Sequence, residues 1–373
     1  MLAARSVTTS FLRFTAALAA LAVFATSADA QIPTPRLVSS RQPDGLIVST
    51  GNIYFTTHDR CGGHVWRTGQ TSSPGQEIQI YGDSFSQFGD IVYAKIGNDF
   101  FGYFFAAGGR FAHACDVKNG APAAARGAAV NGSLFTTYSI RRIPLAGGPA
   151  VTLKVLSNLD IEKSHRNLVT DGYFLYWQDN VSIHKMPIGG GADIVLDRTS
   201  PTTPAAGLSL HGSGVSPLHS ANVYYAVGNN IYYASVLGSI TPPFDRVAMR
   251  GSSRVTALQD TDDGLYWGEQ SGTVYVHLRT GQVVALSGAP SPAPTSLAAI
   301  NAGAAYATQC DPQTCQLRFD GNSNVYFQPI DVNAIGVSVT PSDVIWGDAG
   351  GIHELSREDF GSQAAHRMMA KKP

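Results

Sequence analysis

The chain has 373 residues, a formal net charge of −1, and 44% hydrophobic and 10% aromatic residues, but only 14% charged residues. A typical soluble domain carries roughly 25% charged residues. This apolar, aromatic composition excludes a disordered chain, and the near-zero charge argues against a nucleic-acid partner, which would need a basic excess.

The first thirty residues read as an export leader. Arg5 and Arg13 give a basic start, residues 14–25 an apolar run, and Ala28-Asp29-Ala30 a small-x-small cleavage site. The run falls short of the roughly 20 apolar residues a membrane helix needs. No Cys follows the cleavage site, so a lipid anchor is not indicated. The expected division is a leader at 1–30, a single folded domain at 31–360 and a tail at 361–373. The mature protein is expected in the periplasm or outside the cell, with no membrane span.

After the leader, Arg36-Leu37-Val38-Ser39 stands alone before the first repeat. It is expected to serve as the outer strand of the last repeat, joining the chain ends, because an open ring would leave an unpaired edge. A strand over 52–57 follows, then the polar cluster His58-Asp59-Arg60-Cys61-Gly62-Gly63-His64.

From here a pattern recurs: a polar turn, an apolar strand carrying an aromatic residue, then another polar turn. The aligned aromatic falls at Phe55, Tyr93, Phe135, Trp177, Tyr225, Trp267, Tyr306 and Trp346, at intervals of 38–48 residues. In the clearest copy, strands are expected at 166–170, 173–178, 181–186 and 192–196. The pairs Asn131-Gly132, Asp171-Gly172 and Asp263-Gly264 stand between first and second strands, where a tight hairpin needs positive φ. The Pro-, Gly- and Ser-rich stretch 199–216 reads as an inserted loop. The last copy offers strands near 337–340, 344–347 and 352–355. Four short strands in each unit of about 40–45 residues indicate a β-propeller. The predicted fold is therefore all-β, one propeller of four-stranded antiparallel blades. The aromatic spacing predicts eight blades, with seven as the alternative because the Tyr93 copy is weakly marked.

Leu175-Tyr176-Trp177-Gln178-Asp179, preceded by Asp171-Gly172 and followed by Ile183-His184-Lys185-Met186-Pro187, resembles the YWTD-type propellers and the broader bacterial secreted TolB-like propellers. Tyr266-Trp267-Gly268-Glu269 and Ile345-Trp346-Gly347-Asp348 are degenerate versions. The resemblance implies a structural motif, with the aromatics packed between blades and the acid tying neighbouring blades. On this chain that covers Trp177 with Asp179, and Trp346 with Asp348.

Four cysteines in an exported chain read as two disulfides. Cys310 and Cys315 flank a short turn with strands on both sides, and opposed antiparallel residues lie about 4.5–5.5 Å apart, within disulfide range. Cys61 and Cys115 then pair by elimination. The alternative, zinc held by these cysteines with His58, His64 and His113, fits no standard spacing. No metal and no cofactor are expected. No catalytic residue is assigned either. Gly207-Leu-Ser209-Leu-His211-Gly212 lacks the G-x-S-x-G elbow. Asp260-Thr-Asp262-Asp263-Gly264 begins like a calcium loop but lacks its closing Glu.

Loops joining second and third strands share a face with the crossings between blades. The candidate binding rim on that face is His58, Asp59, Arg60, Asp179, Asn180, Glu269 and Asp348. The expected function is that of an exported, non-enzymatic propeller binding a protein or glycan of the cell envelope or exterior on one face. The alternative is a hydrolase or lyase at the mouth of the central channel.

Overall fold

A computed structural model describes residues 35–356, apart from 50, 60–61, 71–75, 84–85, 109–136, 157–167, 179–181, 199–206, 211–221, 237–246, 287–292, 301–302, 309–314, 322–323, 331–335, 341 and 349. Among the described residues all regular structure is strand. The first blade is β2 (Gly45–Ser49), β3 (Asn52–Asp59), β4 (Gly62–Gly69) and β5 (Ile78–Asp83). The second is β6 (Ser86–Ile96), β7 (Asp99–Gly108), β8 (Thr137–Pro144) and β9 (Val151–Leu156). The third is β10 (Leu168–Thr170), β11 (Phe174–Gln178), β12 (Ser182–Pro187) and β13 (Ile194–Arg198). The fourth is β14 (Leu208–Leu210), β15 (Asn222–Val227), β16 (Asn230–Ser235) and β17 (Val247–Arg250). The fifth is β18 (Val255–Asp260), β19 (Gly264–Glu269), β20 (Val274–Leu278) and β21 (Val283–Ala285). The sixth is β22 (Pro294–Ile300), β23 (Gly303–Thr308), β24 (Cys315–Gly321) and β25 (Asn324–Ile330). The last joins β26 (Gly336–Val339), β27 (Asp343–Asp348) and β28 (Gly351–Ser356) to β1 (Arg36–Ser39).

Each sheet is antiparallel, and the first strands β2, β6, β10, β14, β18, β22 and β26 follow one another around a closed ring. The expectation of eight blades is thus corrected: the described strands form seven four-stranded sheets. The error arose in the second blade. Tyr93 lies on its first strand, and β7 pairs directly with β8 across the intervening segment 109–136. An insertion between two strands of one blade adds length that aromatic spacing alone reads as another repeat. Phe135 and the Asn131-Gly132 pair lie outside the described residues, as does most of the expected loop 199–216.

The other aromatics hold a constant register. Phe55, Trp177, Tyr225, Trp267, Tyr306 and Trp346 stand on second strands opposite Leu46, Leu168, Leu208, Leu258, Leu297 and Val337 of the first strands. Second strands are sandwiched between neighbouring blades, so both faces are apolar and the usual alternation vanishes. In β11, Leu175 and Trp177 pack toward the second blade while Tyr176 packs toward the fourth. Every residue of β19 is buried.

Cross-strand pairs reinforce this core. Trp177 stacks on His184 at 5.0 Å, Trp267 on Tyr275 at 5.3 Å, Trp346 on His353 at 5.4 Å and Tyr225 on Tyr232 at 5.5 Å between ring centroids. Offset aromatic pairs of this kind add about 0.5–1.5 kcal/mol beyond area burial.

The Asp-Gly turns divide. Gly172 has φ 88°, and Asp171 Oδ1 accepts from the amides of Tyr173 and Phe174 at 2.9 and 2.8 Å. That is an Asx turn with glycine where a side chain would be strained. Gly264, by contrast, does not need positive φ. A Cβ there would lie 2.6 Å from the His277 carbonyl oxygen, so close packing is what demands glycine.

The ring closes as the isolated segment 36–39 suggests. β1 is the outer strand beside β28, with Arg36 opposite Glu354 and Leu37 opposite His353. Arg36 forms an ion pair with Glu354 and donates to the Gln70 carbonyl. Gln70 Nε2 reaches Asp343 Oδ2 at 3.2 Å. Val38, Ile53, Phe55, Trp66, Ile345 and Ile352 form the apolar seam beneath.

Candidate functional site

The described members of the expected rim stand at turns between second and third strands. Those turns belong to the first, fifth and seventh blades, in the β3–β4, β19–β20 and β27–β28 hairpins, and the first and seventh blades are neighbours in the ring. His58 is exposed, and its Nδ1 lies 2.6 Å from Asp44 Oδ2. Asp59 closes β3 opposite Gly62. Arg60, Asp179, Asn180, Cys61, Cys115 and Cys310 lie outside the described residues, and Cys315 begins β24.

Glu269 and Asp348 are buried and engaged within the protein. The Glu269 carboxylate accepts from Ser252 Oγ at 2.5 Å, Ser252 N at 3.1 Å, Ser253 N at 2.9 Å, Ser253 Oγ at 3.2 Å and Trp267 Nε1 at 3.0 Å. Residues 252–253 lie in the crossing from the fourth blade into the fifth, so this acid ties the crossing to a second strand. Burial pushes its pKa up, but the hydrogen bonds from Ser252, Trp267 and Ser253 outweigh burial and hold it below the ordinary carboxylate value. Asp348 Oδ1 accepts from Gly350 N at 2.7 Å and lies 3.2 Å from His353 Nε2. Burial opposes its ionisation, yet His353, the Gly350 amide and the Trp346 indole together hold its pKa low.

The glycine between tryptophan and acid has its own reason. A Cβ on Gly268 would sit 2.7 and 2.8 Å from Cγ and Cβ of Pro294, the first residue of the next blade. A Cβ on Gly347 would drive into Pro43, just before β2. The Trp-Gly-acid unit therefore holds two neighbouring blades at once. Sequence reading identified the aromatic and the acid but not the proline or serines across the joint, which are distant in the chain.

A cavity of ≈ 280 Å³ opens between the fourth and fifth blades, lined by Asn222, Tyr224, Tyr233, Ala248, Leu265, His277, Leu278 and Arg279. It lies toward the face bearing turns between first and second and between third and fourth strands, opposite the expected rim. Its walls follow from strand alternation. Along β15, Tyr225 packs toward the third blade and Tyr224 toward the fifth. Tyr224 and Tyr233 are directly paired across β15 and β16, with rings 6.3 Å apart and tilted 47°. On the facing blade, His277 is opposite Leu265. Arg279 follows β20, and its Nη2 donates to Asp260 Oδ1 at 2.6 Å and to the Thr261 carbonyl at 2.7 Å. The Asp260 amide in turn donates to Ser209 Oγ at 2.7 Å, anchoring this corner to the fourth blade's inner strand. The repeated Tyr-Tyr pairs at 224–225 and 232–233 were a legible signal for this wall, because two aromatics side by side on a strand must face two neighbours.

The lining holds no carboxylate, serine or cysteine. Among the described residues no group of three or more His, Cys, Asp or Glu is placed to hold a metal ion. Also among them, no helix is long and apolar enough to cross a membrane.

The chain is similar in fold to solved β-propellers. PorZ, a bacterial surface component of the type-IX secretion system of Porphyromonas gingivalis, superposes at TM-score 0.56 with 12% identity, covering 86% of this chain and 37% of that one. The WD40 propeller domain of Doa1 superposes at TM-score 0.55 with 11% identity, covering 87% and 97%. Chaetomium thermophilum Raptor matches at 0.54 with 10% identity, covering 85% and 28%. The chain thus spans about a third of the PorZ and Raptor chains it matches. Such low identity speaks for the fold alone. No protein-family model and no curated protein sequence matches the chain.

Proposed function

We propose that this protein is an exported, non-enzymatic β-propeller that binds a protein or glycan of the cell envelope or exterior on one face of the ring. The observation that carries this is the cavity between the fourth and fifth blades. It presents paired tyrosines beside Asn222, His277 and Arg279, and its lining carries no serine, cysteine or carboxylate. Apolar walls with a few convergent polar groups suit recognition. The leader-like first thirty residues support export, as does the fold likeness to PorZ, itself a bacterial surface component. Disulfides Cys61–Cys115 and Cys310–Cys315 belong to the same reading. The Trp-Gly-acid units at 267–269 and 346–348 support placing the chain near the YWTD- and TolB-like propellers. The rim of His58, Asp59, Arg60, Asp179 and Asn180 is the second candidate face.

The test is capture by immobilised residues 31–373 from the solubilised envelope of the native host. Retained proteins are identified by mass spectrometry and retained glycans by carbohydrate analysis. Saturable retention, displaced by excess free protein, is expected. Retention of neither class above a blank matrix would overturn the proposal.

A further inference from the structure

The cavity between the fourth and fifth blades has a composition that narrows its ligand. Three features bear on this. Tyr224 and Tyr233 give two half-buried phenol rings at an angle to one another, and aromatic rings offer flat apolar faces with a polar hydroxyl at the edge. Asn222, His277 and Arg279 surround them with amide, imidazole and guanidinium groups, which between them both donate and accept hydrogen bonds. The third feature is charge. Arg279 is the cationic group of the lining, and the fully buried Asp260 carboxylate is bound to it at 2.6 Å. The corner is therefore close to neutral, and a full negative charge on a ligand would meet Asp260 as well as Arg279. Asp260 and the Thr261 carbonyl also fix the guanidinium in place before any ligand arrives, which lowers the ordering cost of binding.

From these features we infer that the cavity is a subsite for one neutral pyranose unit of a glycan. The sugar stacks an apolar ring face on Tyr233 or Tyr224 and directs its hydroxyls to Asn222, His277 and Arg279. The volume of ≈ 280 Å³ lies just below the roughly 300–1,000 Å³ range of ligand pockets, which suits a single sugar ring better than an extended peptide. The inference rests on the binding function proposed above and names its ligand class and its place. It puts recognition on the face opposite the expected rim.

The test is saturation-transfer NMR and calorimetric titration of residues 31–373. The probes are glucose, galactose, mannose, N-acetylglucosamine and cellobiose, with glucuronate as the charged comparator. Transfer to the ring protons of at least one neutral sugar is expected, with weaker transfer to glucuronate. Asn222→Ala and Tyr233→Ala should each weaken binding by about tenfold, equivalent to ~1.4 kcal/mol, with an unchanged thermal midpoint. Tyr233→Phe, which keeps the ring face, should retain most of the affinity and remains informative if the alanine variant does not fold. Transfer to none of the neutral sugars, preference for glucuronate, or binding unchanged in both Asn222→Ala and Tyr233→Ala would each overturn the inference. The envelope capture above, repeated with Asn222→Ala, separates the two claims. Absence of sugar binding alongside full capture by wild type and variant sinks the subsite and leaves the broader function standing.

Discussion

Replacing Glu269 by alanine should destabilise the ring by about 4 kcal/mol. The carboxylate holds three donors that alanine would strand: the indole Nε1 of Trp267 and the amides of Ser252 and Ser253. A buried donor left without a partner costs about 1–3 kcal/mol. The Trp267 indole lies deep between blades, where water does not easily follow. The two serine amides lie in a turn nearer solvent and recover part of their loss. Glu269→Gln keeps the shape but turns an NH2 toward donors, and should cost about half as much. The pH dependence has a definite sign. The folded pKa of Glu269 lies below its unfolded value. Its contribution is therefore complete well above the unfolded value of about 4.3 and is lost as pH falls through the folded value. Urea unfolding followed by tryptophan fluorescence measures this at pH 7 and again at about pH 3, near and below the usual carboxylate range. The gap between wild type and Glu269→Ala should narrow at the lower pH. A loss under about 1 kcal/mol at pH 7, the level of an ordinary surface substitution, would refute the reading of Glu269 as a blade tie. Loss of ligand capture without loss of stability would assign it to the rim instead.

Gly268→Ala should cost about 1–3 kcal/mol, the usual penalty of overpacking, because its Cβ would meet Pro294 at 2.7 Å; a urea midpoint equal to wild type would show that the joint can open freely. Deleting residues 36–41 should lower the thermal midpoint far more than deleting 361–373, since the first deletion removes β1 and the Arg36–Glu354 ion pair. Equal melting of the two truncations would mean that β1 does not secure the ring.

The propeller was legible because its repeat is written locally. A second strand covered on both faces must be apolar over most of its length, as residues 174–177 and 264–268 are. The Asp171-Gly172 turn carries its own hydrogen bonds within four residues. The spare strand 36–39 could be placed because a ring with three strands in its last blade needs a fourth. Blade number was not legible. Whether a stretch between two aromatics is an insertion or a blade depends on whether β7 pairs with β8, a contact between segments distant in the chain.

The candidate sites divide along the same line. The acids at 269 and 348 stood out as charged residues in turns, which usually face water. Only the packed blades revealed the serine crossing that encloses Glu269 and the His353 imidazole beside Asp348. The cavity wall of Tyr224 and Tyr233 was implicit in the doubled tyrosines. Its opposite wall, His277 and Arg279, belongs to a different blade, so the two halves meet only when the sheets stack. Strand periodicity and turn chemistry are set by neighbours in sequence and can be read along the chain. A site between blades is made of faces turned toward each other, and the ring's closure decides which faces those are.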